Sequence, residues 1–336
     1  MPSTRNRGRR AALLVLAVPC AALAQTVRLP EVIVTGNPLG SDLIDMVPPA
    51  AALSGDRLFR LQQPTLGEIV ADLPGLTATY YGPNASHPVI RGLDGERVRI
   101  LQNGLGTLDA SGTSVDHAVA LDPLSASRIE VVRGPATLLY GPSAIGGVVN
   151  VIDNRIPSEA LDGVRGGVDL RYASPARERA VAGQIEAGPG GGLALHVDGF
   201  RRKTDDLRIP GFAWSARRRE ALGEEGPSGT LPNSASDSEG FTVGAAYVGS
   251  RGDGGVSWNQ FDTDYGTVAD EEVTIRMRKQ RLDAAGEIRD PFAGAKAIRF
   301  RYGHTDYEHT EFEGDEVGTV FRGNGFEARL EAMHAR

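Results

Sequence analysis

The sequence predicts a transmembrane antiparallel β-barrel, represented by its N-terminal part, behind a compact α+β domain. Three observations predict it. The chain opens with an export leader. Beyond about residue 163, short runs alternate apolar and polar residues with a period of two, the strand repeat. The polar positions of those runs carry charges in strand after strand, and the connections alternate between tight and long, the rhythm of periplasmic turns and outer loops.

The leader covers residues 1–24. Arg5, Arg7, Arg9 and Arg10 form a basic start, residues 11–19 an apolar stretch, and Ala22-Leu23-Ala24 a small-x-small cleavage site. The apolar stretch is too short to cross a bilayer. Cleavage removes Cys20, the only cysteine, so a disulfide or a thiolate site is excluded from the mature chain. Loss of the four arginines takes the formal charge from −7 to −11. No basic field remains to hold nucleic acid.

Residues 25–50 read as an extended arm. Within it LPEVIVTG (29–36) is a β-prone run that is marginal alone and needs an edge to pair with. Residues 51–155 read as the α+β domain. Thr65 and Glu68 make a capping box, with Pro74 stopping the helix after Leu73. Asp122-Pro123 caps a further turn, and Val98 and Ile100 lead a strand into the Asn103-Gly104 turn. RIEVVRGPATLLYGPSAIGGVVNVI (128–152) is rich in glycine, yet no Gly-Lys-Ser/Thr or GxGxxG pattern marks a phosphate loop. Its simplest reading is a strand, a tight glycine turn and a second strand.

From 163 to 336 the strand faces can be written out. Leu193, Leu195 and Val197 alternate with His196 and Asp198; Ile298, Phe300 and Tyr302 alternate with Arg299 and Arg301. The turn at 189–192 is tight and the connection 203–240 long and polar. A soluble antiparallel sheet also alternates, but the leader and the charged face favour a barrel. About eight strands precede Arg336, too few to enclose a domain of about 100 residues. An open sheet edge in lipid leaves backbone groups unpaired. The expectation is therefore an incomplete wall, from a longer barrel or from a truncated product.

The 128–152 stretch closely resembles the late plug region of TonB-dependent outer-membrane receptors. RGLDGERVRILQNG (91–104) resembles that family's earlier plug motif, and 29–36 resembles the segment holding the TonB box. The motif positions are Arg91, Gly92, Arg133, Gly134, Pro135, Tyr140, Gly141, Gly146 and Gly147. The resemblance implies a plug at 51–155 seated in a barrel of about 22 strands. It implies outer-membrane lipid around the barrel, with plug and arm facing the periplasm. Leu29, Pro30, Glu31, Val32, Ile33 and Val34 would pair with TonB by strand addition, energised through ExbB and ExbD. Arg91 and Arg133 would meet acidic residues on the inner wall.

For cargo, Asp116-His117 offers a carboxylate and an imidazole side by side, though two ligands do not complete a zinc site. The runs 109–141, 206–213 and 303–319 resemble the zinc-uptake branch of the family, in which the plug Asp-His pair contributes metal ligands. That implies Asp116 and His117 as ligands and Zn²⁺ as transported substrate, with no prosthetic group. His304, Asp306, His309 and Glu311 form a second candidate, with His304 and His309 as its metal residues. In a continuous strand 304 and 306 share one face and 309 and 311 the other, unless a turn near Tyr307 joins them. Glu311, Glu313, Asp315 and Glu316 would draw cations to the outer loop. Ser114 near Asp116 and His117 has no oxyanion donors in view, so the chain reads as a non-enzyme. The competing readings are a ferric-siderophore receptor, a surface-binding barrel without transport, and a nonfunctional truncated receptor.

Overall fold

Residues 50–334 are described in a computed structural model of the chain. The leader, and the arm including 29–34, lie outside them. The α+β domain begins with β1 (Ala50–Ser54), α1 (Gly55–Leu61) and α2 (Leu66–Ala71). Thr65 caps α2 as its sequence suggests: its Oγ1 accepts from the Glu68 amide and lies 2.9 Å from the Glu68 carboxylate. The helix ends at Ala71, two residues before Leu73, and Gly75 at φ 77° turns the chain away.

A small hairpin of β2 (Leu76–Ala78) and β3 (Pro88–Ile90) follows, then β4 (Val98–Gln102), β5 (Leu105–Gly106), β6 (Arg128–Val132) and β7 (Gly147–Ile152). Asn103 and Gly104, at φ 53° and 84°, make the turn between β4 and β5. The main sheet runs β1-β6-β7-β4-β5, with only β4–β7 parallel. Leu53, Ile69, Ile129, Val131 and Val149 meet in its core with almost no exposure. β6 and β7 are not joined by the tight glycine turn expected. Two 3₁₀ turns, Pro135–Tyr140 and Pro142–Ala144, fill the connection. Pro135 and Pro142 start them, and Gly134 and Gly141, at φ 83° and 89°, precede them.

The second region is a large antiparallel sheet. Its strands are β8 (Gly163–Ala173), β9 (Glu178–Gly190), β10 (Leu193–Thr204), β13 (Ser236–Gly249), β14 (Gly252–Gly266), β15 (Val273–Phe292), β16 (Ala295–Glu313) and β17 (Glu316–His334). A separate hairpin, β11 (Leu207–Phe212) and β12 (Ser228–Leu231), flanks α3 (Ala216–Leu222) inside the long 205–235 connection. At one end of the sheet, two-residue turns join β9–β10, β13–β14 and β15–β16. The other end carries the longer loops, although β16–β17 turns tightly there too. Each strand pairs with its neighbour, but β8 and β17 stand at opposite ends and do not pair together. The barrel expected is thus an open eight-stranded wall, because this number of strands cannot wrap a domain of this size.

The two faces of the wall are inverted relative to a soluble sheet. One cross-strand row runs Ile185, Val197, Val243, Trp258, Leu282, His304, Phe326. Its aliphatic members and Phe326 are exposed on the outward face. One residue along, Glu186, His196, Ser257 and Asp283 point inward and are buried. The α+β domain sits on that polar face. Ala110 and Ala120 pack with Phe200, Phe261, Tyr265 and Tyr307. Arg99 reaches Glu327 at 2.8 Å and Asp122 reaches Arg202 at 3.3 Å.

Candidate metal site between plug and wall

The site is built from a loop and a strand. The loop is 107–120 of the α+β domain, and Asp109 ties its base. One Asp109 oxygen accepts from the Ser111 amide (3.1 Å) and the other from the Ala120 amide (2.9 Å). His87 donates through Nε2 to the His117 carbonyl at 2.6 Å. From the wall, the Tyr265 hydroxyl accepts from the Ala118 amide (2.8 Å) and donates to the Asp116 carbonyl (3.2 Å). These bonds fix the backbone on both sides of the His117 side chain. Where the loop ends, burial holds the Asp122 carboxyl above the usual aspartate range, with Arg202 opposing it.

The strand is β16. Tyr307, His309 and Glu311 alternate along its inward face, so all three approach the loop. His117 Nε2 lies 2.8 Å from Glu311 Oε1, and His309 Nε2 lies 3.6 Å from the same oxygen. The imidazoles of His117 and His309 meet edge to face at 4.5 Å, and Phe321 closes over both at 5.0 and 4.6 Å. One donor atom from each of His117, His309 and Glu311 falls within 4.8 Å of the others. Both histidines are buried, and Glu311 is partly open. Two imidazoles and a carboxylate suit a borderline divalent ion such as zinc or copper.

The tautomer of His117 follows from its surroundings. Its Nδ1 lies 3.0 Å from the Thr113 hydroxyl and 3.1 Å from the Ala110 carbonyl; the hydroxyl gives its own proton to that carbonyl at 2.7 Å, so both oxygens accept and Nδ1 carries a proton. Nε2 is then the atom turned to Glu311. It meets the carboxylate either as an N–H donor or across a shared cation.

The structure joins two of the four metal residues expected and separates the others. His117 and His309 come together. Asp116 is half-buried, and its carboxylate takes the Ser114 hydroxyl, outside the trio. β16 runs unbroken through Tyr307, so His304 faces outward in the apolar row between Leu282 and Phe326. No turn brings it to His309. The third member of the cluster is Glu311, which the sequence offered only as part of a looser grouping. Its signal was position, two residues beyond His309 on the same strand face.

The motif residues hold the domain's shape. Gly146 and Gly147 pack so tightly that an added Cβ would lie 2.9 Å from the Arg97 carbonyl and 2.5 Å from Ile90 Cδ1 respectively. Arg91 and Gly92 take positive φ, 52° and 80°, in the turn after β3. Tyr140 is buried, with the Arg329 guanidinium stacked 4.6 Å from its ring. Arg91 is exposed, while Arg133 donates to the Pro74 carbonyl at 2.8 Å. Among the described plug–wall ion pairs are Arg99–Glu327 and Asp122–Arg202.

Residues 42–148 match the family model described as TonB-dependent receptor plug domain. That stretch is similar to a TonB-dependent receptor plug. Over 171 residues it is 29% identical to the vitamin B12 transporter BtuB of Photobacterium profundum, covering 50% of this chain and 27% of that protein. The plug and wall together superpose on the copper transporter OprC with a TM-score of 0.62 at 16% identity, over 79% of this chain and 38% of that one. The ferric enterobactin receptor of Pseudomonas aeruginosa gives 0.61 at 17%, over 85% and 47%. The chain spans less than half the length of these three relatives. At such identities the structural likeness speaks for the fold. The relatives named here are transporters and receptors, in line with the non-enzyme expected, and they concern B12, copper and ferric enterobactin rather than zinc.

Proposed function

We propose that this plug and wall belong to an outer-membrane receptor that imports a metal-bearing cargo with energy delivered by TonB. The observation that carries this reading is the His117, His309 and Glu311 trio, contributed partly by the plug and partly by the wall. In this reading the leader directs export, and residues 29–34 pair with TonB as an added strand. ExbB and ExbD energise that partner. The outward apolar row contacts lipid, and the two-residue turns face the periplasm.

The named relatives favour a metal chelate of the ferric-siderophore kind as cargo. The trio favours a second cargo, a bare divalent ion with zinc first, because its nitrogen donors are buried and a chelated metal keeps its own ligands. Uptake of labelled zinc and of a labelled ferric chelate, in cells with and without TonB, separates the two. TonB-dependent uptake of either supports the transport reading. Uptake unaffected by loss of TonB overturns it. Zinc uptake abolished by His117→Ala and His309→Ala selects the bare ion, and chelate uptake indifferent to both selects the siderophore class.

A further inference from the structure

We propose that Tyr307 is the positioning residue for His309, setting which of its ring nitrogens faces a metal ion; this rests on the metal reading above. The His309 imidazole is fully buried, so solvent does not orient it. Its two nitrogens have contrasting surroundings. Nδ1 lies 2.6 Å from the Tyr307 hydroxyl. Nε2 is buried and makes no hydrogen bond, and its separation from Glu311 Oε1, 3.6 Å, is beyond hydrogen-bonding reach. Buried polar atoms without a partner are rare and call for an explanation. This one points at the carboxylate that His117 also faces. A cation shared by the three groups would give Nε2 its partner.

A phenol can donate or accept. When His309 Nε2 gives its lone pair to a metal, Nδ1 carries the proton and the Tyr307 oxygen accepts it. Such outer contacts fix ring orientation and raise ligand basicity. The plug histidine receives the same service from two oxygens, the Thr113 hydroxyl at 3.0 Å and the Ala110 carbonyl at 3.1 Å. His309 Nδ1 rests on one side-chain hydroxyl, so a single substitution at Tyr307 tests that support. Tyr307 lies on the same face of β16 as His309 and Glu311, in the order Tyr-x-His-x-Glu, so one rigid strand carries two ligands and the support for one of them.

Tyr307 also packs beside Ala110, Phe261, Tyr265 and Met277, and a purely structural role would end there. Tyr307→Phe keeps that ring and removes only the hydroxyl. The test is titration of the detergent-purified receptor with Co²⁺, read by its visible absorption, followed by Zn²⁺ competition. The expected result is a loss of affinity of about ten- to a hundredfold, with an altered Co²⁺ band and an unchanged metal-free melting temperature. In a His309→Ala background the same substitution is expected to cost nothing further. Wild-type affinity and band in Tyr307→Phe overturn the role while leaving the metal site standing. A loss that persists in the His309→Ala background also overturns it, since Tyr307 would then act on the fold. Failure of the wild-type receptor to bind Co²⁺ overturns the metal reading and this role together.

Discussion

The plug and the wall bury opposite kinds of residue. The plug core is hydrocarbon: Leu53, Ile69, Ile129 and Val131. The inner face of the wall buries Glu186, His196, Lys279, Arg281 and Asp283, while Val197, Val243, Leu282, Phe300 and Phe326 stay outside. Each region follows its solvent. The plug packs as a water-soluble domain does. The wall has an apolar exterior suited to lipid and an interior that must satisfy every charge it encloses.

The sharpest break of this contrast is Arg281→Ala. Arg281 is fully buried, bonds Asp283 at 2.9 Å and donates to the Gly106 carbonyl at 2.7 Å, so its loss strands an inward carboxylate. The expected cost is about 3–5 kcal/mol, read by denaturant unfolding of the receptor in detergent. Next comes Phe300→Arg on the outward face, expected to cost about 2–4 kcal/mol near the bilayer midplane, read by folding into lipid vesicles. A cost near zero would mean that this face does not meet lipid. The smallest is Ile129→Val in the plug core, expected to cost about 0.5–1.5 kcal/mol in the same denaturant measurement. If the ranking of Arg281 and Ile129 were reversed, the wall interior would be wet enough to rescue a lone carboxylate, and the contrast would fail.

Much of the wall was legible because alternation is a local signal. Phe300 and Arg301 can be assigned to opposite faces from their neighbours alone. Which face meets solvent is not local, and the leader tipped that reading. The Thr65–Glu68 cap and the Asn103-Gly104 turn were legible for the same reason: all their partners lie within a few residues. The His117, His309 and Glu311 trio was legible only in halves. His117 and Glu311 are 194 positions apart, and only the docking of the loop against β16 joins them. Strand parity did separate His304 from His309, and the uninterrupted course of β16 decides between that parity and a turn. Asp116 shows the limit of adjacency: in an extended loop, neighbouring side chains diverge, and its carboxylate turns to Ser114 instead. The connection between β6 and β7 was misread because glycines suggest a turn but do not give its length.

The length of β16 has a further consequence. Its 19 residues extend for about 60 Å and, at a barrel strand's tilt of about 40°, rise about 45 Å, against roughly 30 Å for a bilayer's hydrocarbon layer. In the proposed orientation the loop end of the wall stands clear of the membrane. It is edged by exposed pairs such as Arg276–Asp264 at 2.9 Å and Arg322–Glu308 at 2.6 Å. Those pairs sit in the ionic atmosphere of the medium and weaken as it thickens. His117 and His309, sealed behind Phe321 at the same height, do not share it. Brackish and fresh water would therefore reset the rim of this molecule while leaving its buried imidazoles in the same electrical climate.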